Sequence, residues 1–202
     1  STDVLNDFDL VVAADGANST LREGASSPLG HHVETARAKF IWFGTTYMFD
    51  GLTFVHASSE HGLFAAHAYP ISDDTSTFIV ETDERTWLRA GLDEFDVTSA
   101  PGPSDEKSRA FLTDLFGPYI PGGELLVNNS RWANFRTRRT DRWHDGRTVF
   151  LGDAVHTAHF SVGSGTKMAM EDAIVLAREV ILGPPDEALQ RYEAERKPAV
   201  AR

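Results

Sequence analysis

Apolar residues fall into two rhythms along this chain. Residues 8–14 (FDLVVAA) and 148–151 (TVFL) are almost unbroken apolar runs. Such runs mark strands buried on both faces, as in a parallel α/β sheet. From residue 39 the texture changes to short segments rich in β-branched and aromatic residues: 39–46 (KFIWFGTT), 52–57 (LTFVHA), 62–69 (GLFAAHAY) and 75–82 (TSTFIVET). Phe49-Asp50-Gly51, Glu60-His61-Gly62 and Ser72-Asp73-Asp74 supply turn chemistry between them, so the spacing predicts an antiparallel meander. Residues 125–128 and 132–138 return to strand texture.

Helical signals fill the gaps. A short helix is predicted over 17–23, a helical turn over 84–90, and a helix over 105–116 started by Ser104 and closed by Gly117-Pro118. A long helix over 164–182 stops at Gly183-Pro184-Pro185, and another spans 186–196. Residues 24–30 read as a Gly/Ser/Pro linker and 94–103 as an irregular loop. The expected organisation is an α/β piece at each end, residues 1–30 and 145–202, bracketing an antiparallel insertion at 31–144.

Composition narrows the class. With 202 residues and 41% hydrophobic content the chain can bury one large core or two small ones. No apolar run approaches the roughly 18 residues of a membrane span. Residues 1–20 lack the basic-then-apolar layout of an export signal, which makes the cytoplasm the expected location. Without cysteine there is neither a disulfide framework nor a thiolate metal site, and the histidine spacing matches no metal motif. A formal charge of −11 argues against nucleic-acid or anionic-membrane partners.

Two carboxylates follow the buried-type strands directly, Asp15 after VVAA and Asp153 after VFLG. Ligands of open α/β sheets bind beyond the carboxyl ends of the strands, so the two could share one crevice. There a carboxylate accepts hydrogen bonds from ligand hydroxyls, while Gly16 and Gly152 allow close backbone approach. Each aspartate could equally cap its own turn. Gly163-Ser164-Gly165 opens the long helix and exposes backbone N–H groups to an anion. The same residues also suit a flexible turn with a Ser164 or Thr166 cap.

Residues 15–22 (DGANSTLR) match the DGxxSxxR pattern of the single-component flavoprotein hydroxylases, the family of p-hydroxybenzoate hydroxylase. Gly152-Asp153-Ala154-Val155-His156, then Gly163-Ser164-Gly165 and Glu171-Asp172-Ala173, resemble that family's GD motif and the helix after it. Segments KFIWFGTT, EHG, FIVE, NNSRW and TAHFSVGSG resemble the salicylyl-CoA 5-hydroxylase and 2-aminobenzoyl-CoA monooxygenase branch, over most of the chain. The fold this implies is α/β, α+β overall: an incomplete FAD-binding Rossmann-like layer with an inserted antiparallel β-sheet substrate domain. Asp153 would bind a ribityl hydroxyl of FAD, with the amides of Gly163, Ser164 and Gly165 near the pyrimidine edge of the isoalloxazine. Asp15, Gly16 and Arg22 would shape the pyrophosphate region and the approach of NAD(P)H. The chemistry implied is the cofactor's: reduction by NAD(P)H, a C4a-hydroperoxide from oxygen, and attack by an electron-rich ring. The substrate would be a small aromatic acid or its CoA or carrier-protein thioester. A halogenase or reductase on the same scaffold, or a binding module without catalysis, are the competing readings.

The sequence departs from the family pattern in two ways. His159-Phe160 replace the usual proline pair and Lys167 the following asparagine, so His159 either polarises the substrate or substitutes for proline structurally. No GxGxxG occurs anywhere, which predicts a fragment of a longer protein that binds FAD weakly and self-associates through an uncovered strand edge. His56 and His67 are candidate substrate-pocket residues, although histidines scattered through a meander are also commonly structural. Arg131, Arg136, Arg138, Arg139, Arg142 and Arg147 form a basic cluster that suits either ligand phosphates or a solvated, carboxylate-paired strand face.

Overall fold

The structure, a computed structural model, describes residues 7–95, 102–159 and 163–201. The chain folds into two compact units, one of residues 36–135 and one of residues 1–35 with 136–202.

In the first unit the sheet is built from β2 (His31–Thr45), β3 (Thr53–Ser59), β4 (Gly62–Pro70), β5 (Ser76–Thr82) and β6 (Leu125–Leu126) in the order β3-β4-β5-β2-β6, and β7 (Ala133–Thr140) also pairs with β2. The meander holds only for β3, β4 and β5. β2 pairs antiparallel with β5 and not with β3, in the register Ile41↔Val80 and Phe43↔Phe78. That register centres the most apolar strand pair, whose four side chains are at most 1% exposed. Two helices, α2 (Glu84–Arg89) and α3 (Glu106–Phe116), are the helices of this unit, and Leu112 and Phe116 of α3 join the same core cluster. The Phe78 and Phe116 rings meet edge to face at 5.3 Å. Burying a Phe side chain contributes about 1.5–3 kcal/mol.

Two expectations need correcting here, and a third is not tested. β2 begins at His31, not residue 39, because ladder pairing rather than burial holds the polar stretch 31–38. The cap of α3 is Asp105, whose carboxylate accepts from Ser108 N at 2.9 Å, and not Ser104. Residues 96–101 of the expected loop lie outside the described residues.

In the second unit β1 (Val11–Ala13) runs parallel to β9 (Thr148–Phe150), and the two-residue β8 (His144–Asp145) completes the order β1-β9-β8. The parallel pairing of the two apolar runs is as expected; β8 is too short to leave a sequence signal. β1 forms an outer edge of this sheet, with Val12 48% exposed. The short α1 (Thr20–Glu23) follows β1, and α4 (Gly165–Leu182) packs with α5 (Pro185–Val200). Ala13, Val149, Phe150, Val175, Leu176 and Tyr192 share the core. Among the described residues no helix is long and apolar enough to cross a membrane.

Candidate functional site

The register Ala13↔Phe150 carries Asp15 and Asp153 off the same end of the parallel pair. The two turns then diverge in chemistry. Asp15 accepts from the Leu21 amide at 3.2 Å and from Thr20 Oγ1 at 3.3 Å, so it braces the first turn of α1 beside the Ser19 cap. Partial burial opposes ionisation, but hydrogen bonds from Ser19 and the Leu21 amide hold its carboxyl below the usual range. Gly16, at φ +83°, has open space where a side chain would stand.

Arg22 is 6% exposed and donates to two backbone carbonyls, Ala154 at 2.7 Å and Ala17 at 3.1 Å. It therefore ties the turn after β1 to the turn after β9, 132 positions away. Among the described residues its Nε finds no partner, nor does the buried Nε of Arg138, whose Nη2 donates to Asn18 Oδ1 at 2.9 Å. Burial and then the Arg138 charge depress the Arg22 pKa, and burial with both guanidiniums depresses His31. Two cations with orphaned donors beside an imidazole are a setting that invites an anion.

At the second turn the chain leaves β9 through a 3₁₀ turn, Gly152–Ala154. Gly152 has φ +57°, and a Cβ there would approach Ala169 Cβ to 3.0 Å, so only glycine fits. The Asp153 side chain is exposed and makes no hydrogen bond among the described residues. α4 begins nearby in sequence with Ser164 at its N-cap, no side-chain cap and no acidic residue in its first turn. Gly163, at φ +65°, and Gly165 both have open space where a Cβ would stand. Among the described residues no side chain caps the start of this 18-residue helix, an arrangement that suits an anionic ligand. His159 is half-buried on the loop between these features; its neighbour Phe160 lies outside the described residues.

Behind the turn sits a buried network with no counterpart among the predicted site residues. Asp172 of α4 is fully buried and accepts from Gly152 N at 3.0 Å, His156 Nε2 at 2.7 Å and Arg196 Nε at 2.8 Å. Burial works against ionisation of Asp172, yet His156 and Arg196 keep its carboxyl below the ordinary value. The available signal was position: Asp172 falls on the core-facing stripe of α4 with Val175 and Leu176, where an unpaired acid is not tolerated.

In the sheet unit, the register Phe54↔His67 and His56↔Ala65 puts His56 and His67 on one face of neighbouring rows. Trp42 joins that face through Ile79, and Glu81 through Ala65. His56, Phe54 and Trp42 are exposed, whereas His67 is only 9% exposed with its ring 6.0 Å from that of Phe54. Glu81 carries a buried Oε1 without a hydrogen bond among the described residues, a second acceptor the sequence did not flag. His61 stands apart in the β3–β4 turn, 6.1 Å from Phe111. Of the arginine cluster, no carboxylate pairs with Arg136, Arg138, Arg139 or Arg142 among the described residues, because Asp141 engages His32 and Asp145 engages Ser26 and Ser27. Those four are not the carboxylate-paired strand face that acidic surroundings suggest. Among the described residues no cluster could hold a metal ion.

Known proteins resemble this chain along nearly its whole length. The chain is 62% identical to a salicyloyl-CoA 5-hydroxylase of a Streptomyces species over 98% of its length and 39% of that protein's. It is 39% identical to a 3-hydroxy-4-methyl-anthranilyl-[aryl-carrier protein] 5-monooxygenase of Streptosporangium sibiricum, over 97% of this chain and 50% of the relative. The chain therefore spans half or less of these relatives. Its fold matches the solved tetrameric form of 2-methyl-3-hydroxypyridine-5-carboxylic acid oxygenase with a TM-score of 0.70 at 18% identity, over 94% of this chain and half of that one. The model of the FAD binding domain family matches residues 7–202, and the chain belongs to that family.

Proposed function

We propose that this chain is the part of an FAD- and NAD(P)H-dependent monooxygenase that positions the flavin ring and its aromatic substrate, an aryl acid carried as a CoA or carrier-protein thioester. The observation that carries this reading is the turn after β9: an exposed Asp153 carboxylate with no hydrogen bond among the described residues, beside a helix start with open glycines and, among those residues, no side-chain cap. A free carboxylate suits a ribityl hydroxyl, and unsatisfied amides suit the anionic edge of a reduced flavin. The residues present thus fit the ribityl and isoalloxazine half of FAD. When bound, the cofactor supplies the oxygen-activating chemistry, and the protein's work is to bind, orient and exclude water.

Arg22 and Arg138, with their orphaned Nε donors, Asn18 and His31 form the group we assign to the diphosphate of NAD(P)H. Asp15 and Gly16 shape this region by fixing the turn rather than by touching ligand. In the sheet unit, Trp42, Phe54, His56 and His67 offer an aromatic face for the aryl ring, and the unpartnered Glu81 oxygen an acceptor for a ring hydroxyl or amine. His159 remains our candidate for polarising the substrate. The cytoplasm, which supplies the nicotinamide, is the compartment this assignment implies.

The test is product analysis with the full-length protein, salicyloyl-CoA as the probe substrate and NADH and NADPH compared. Retained FAD and a ring-hydroxylated thioester are expected. Nicotinamide oxidation without a hydroxylated product, or a halogenated product in the presence of halide, would overturn it.

A further inference from the structure

Asp172 is the residue through which the structure holds the turn after β9 in place. Its Oδ2 takes both the Gly152 N–H and His156 Nε2, and its Oδ1 takes Arg196 Nε. Gly152 and His156 lie on either side of Asp153 and Ala154, so one buried carboxylate gathers both ends of the segment that presents Asp153. The two anchors are themselves fixed. The His156 ring lies 5.1 Å from that of Trp143, and Arg196 reaches from α5 to donate to Glu171 at 3.0 Å as well. Gly152 turns through a left-handed φ of +57° with Ala169 close behind, a region glycine shares with other conformations, so the bond to Asp172 selects this one.

We propose that Asp172, held by Arg196, is a positioning residue for flavin: it aims Asp153 by fixing the Gly152 amide and the His156 ring. α5, whose residues lie 32 or more positions beyond Asp153 in sequence, thereby becomes part of the cofactor site without touching it. Asp172 is fully buried, so its charge is no direct ligand of a cofactor. This inference rests on the assignment of Asp153 as a flavin ligand.

A double-mutant cycle in the full-length protein separates the two claims. FAD dissociation constants are measured by flavin fluorescence for wild type, D153A, D172N and the double variant, with thermal unfolding of each apoprotein as the folding control. D153A alone should raise the dissociation constant about 10- to 150-fold, the value of a lost charged hydrogen bond. D172N alone should raise it at least about tenfold, but less than about twofold in the D153A background. Equal factors in both backgrounds would overturn the positioning role while leaving Asp153 in place. An unchanged constant in D153A would remove the flavin assignment itself. Should D172N fail to fold, H156F, which keeps a ring against Trp143 and removes the Nε2 donor, takes its place in the cycle with the same expectations.

Discussion

The turns after β1 and β9 leave the same end of a parallel strand pair, each with an aspartate and a glycine of positive φ, yet they do opposite things with them. After β1 the carboxylate is spent on its own helix start, and Gly16 faces open space. After β9 the carboxylate makes no hydrogen bond among the described residues, and the backbone beneath it is clamped by Asp172 and crowded by Ala169. One turn stabilises itself; the other is stabilised from behind so that its side chain stays available. The difference shows why a strand-end aspartate cannot be assigned to a ligand from its position alone. What decides is whether neighbouring N–H groups have already claimed it.

The comparison breaks first at the glycines. Gly152→Ala combines left-handed strain with a contact against Ala169, and should cost about 2–4 kcal/mol in urea unfolding. Arg22→Met should follow at about 2–3 kcal/mol, since it strips the buried Ala154 carbonyl and the partly buried Ala17 carbonyl of their donor and cuts the tie between the two turns. A value within about 0.5 kcal/mol, on the scale of surface changes, would contradict the bracing role of Arg22.

Smaller effects come from the carboxylates that structure loops. Asp145 holds Ser26 and Ser27, and hydrogen bonds from both hydroxyls lower its pKa from 3.8 to about 2. A depressed folded-state pKa means the contribution is complete above the unfolded value and lost as pH falls through about 2. The stability gap between wild type and D145N, about 1–2 kcal/mol at pH 6, should therefore close as pH falls from 4 toward 2. A pH-independent gap would contradict the hydrogen-bond account. Gly16→Ala should cost the least, about 1 kcal/mol of strain with no clash to add.

Sequence pattern made much of the scaffold legible. The runs 8–14 and 148–151 were readable as parallel neighbours because near-continuous apolar runs favour parallel sheets, although Val12 of β1 is exposed, and strands β3, β4 and β5 because their turns carry Gly and Asp. Ladder pairing without burial was not readable, which is why the polar start of β2 and the two-residue β8 went unseen. The crossing of β2 to the side of β5 was also hidden, since period-2 alternation sets a strand's face and not its neighbour. Motif residues such as Asp15 and Asp153 were visible, but their partners were not. The stripe of α4 marked Asp172 as buried, but that it meets Gly152, His156 and Arg196, like the burial of the Glu81 oxygen, is a three-dimensional encounter that spacing does not encode.

The most direct test of the contrast between the two turns is FAD affinity in the full-length protein with D15A and D153A compared side by side, each with its apoprotein unfolding curve. The account predicts that D153A weakens FAD by about 1.5–3 kcal/mol and leaves stability within about 0.5 kcal/mol. It predicts that D15A does the reverse, losing about 1 kcal/mol of stability as a cap while FAD affinity changes less than about twofold. Equal losses of FAD affinity in the two variants, or a larger loss in D15A, would contradict it.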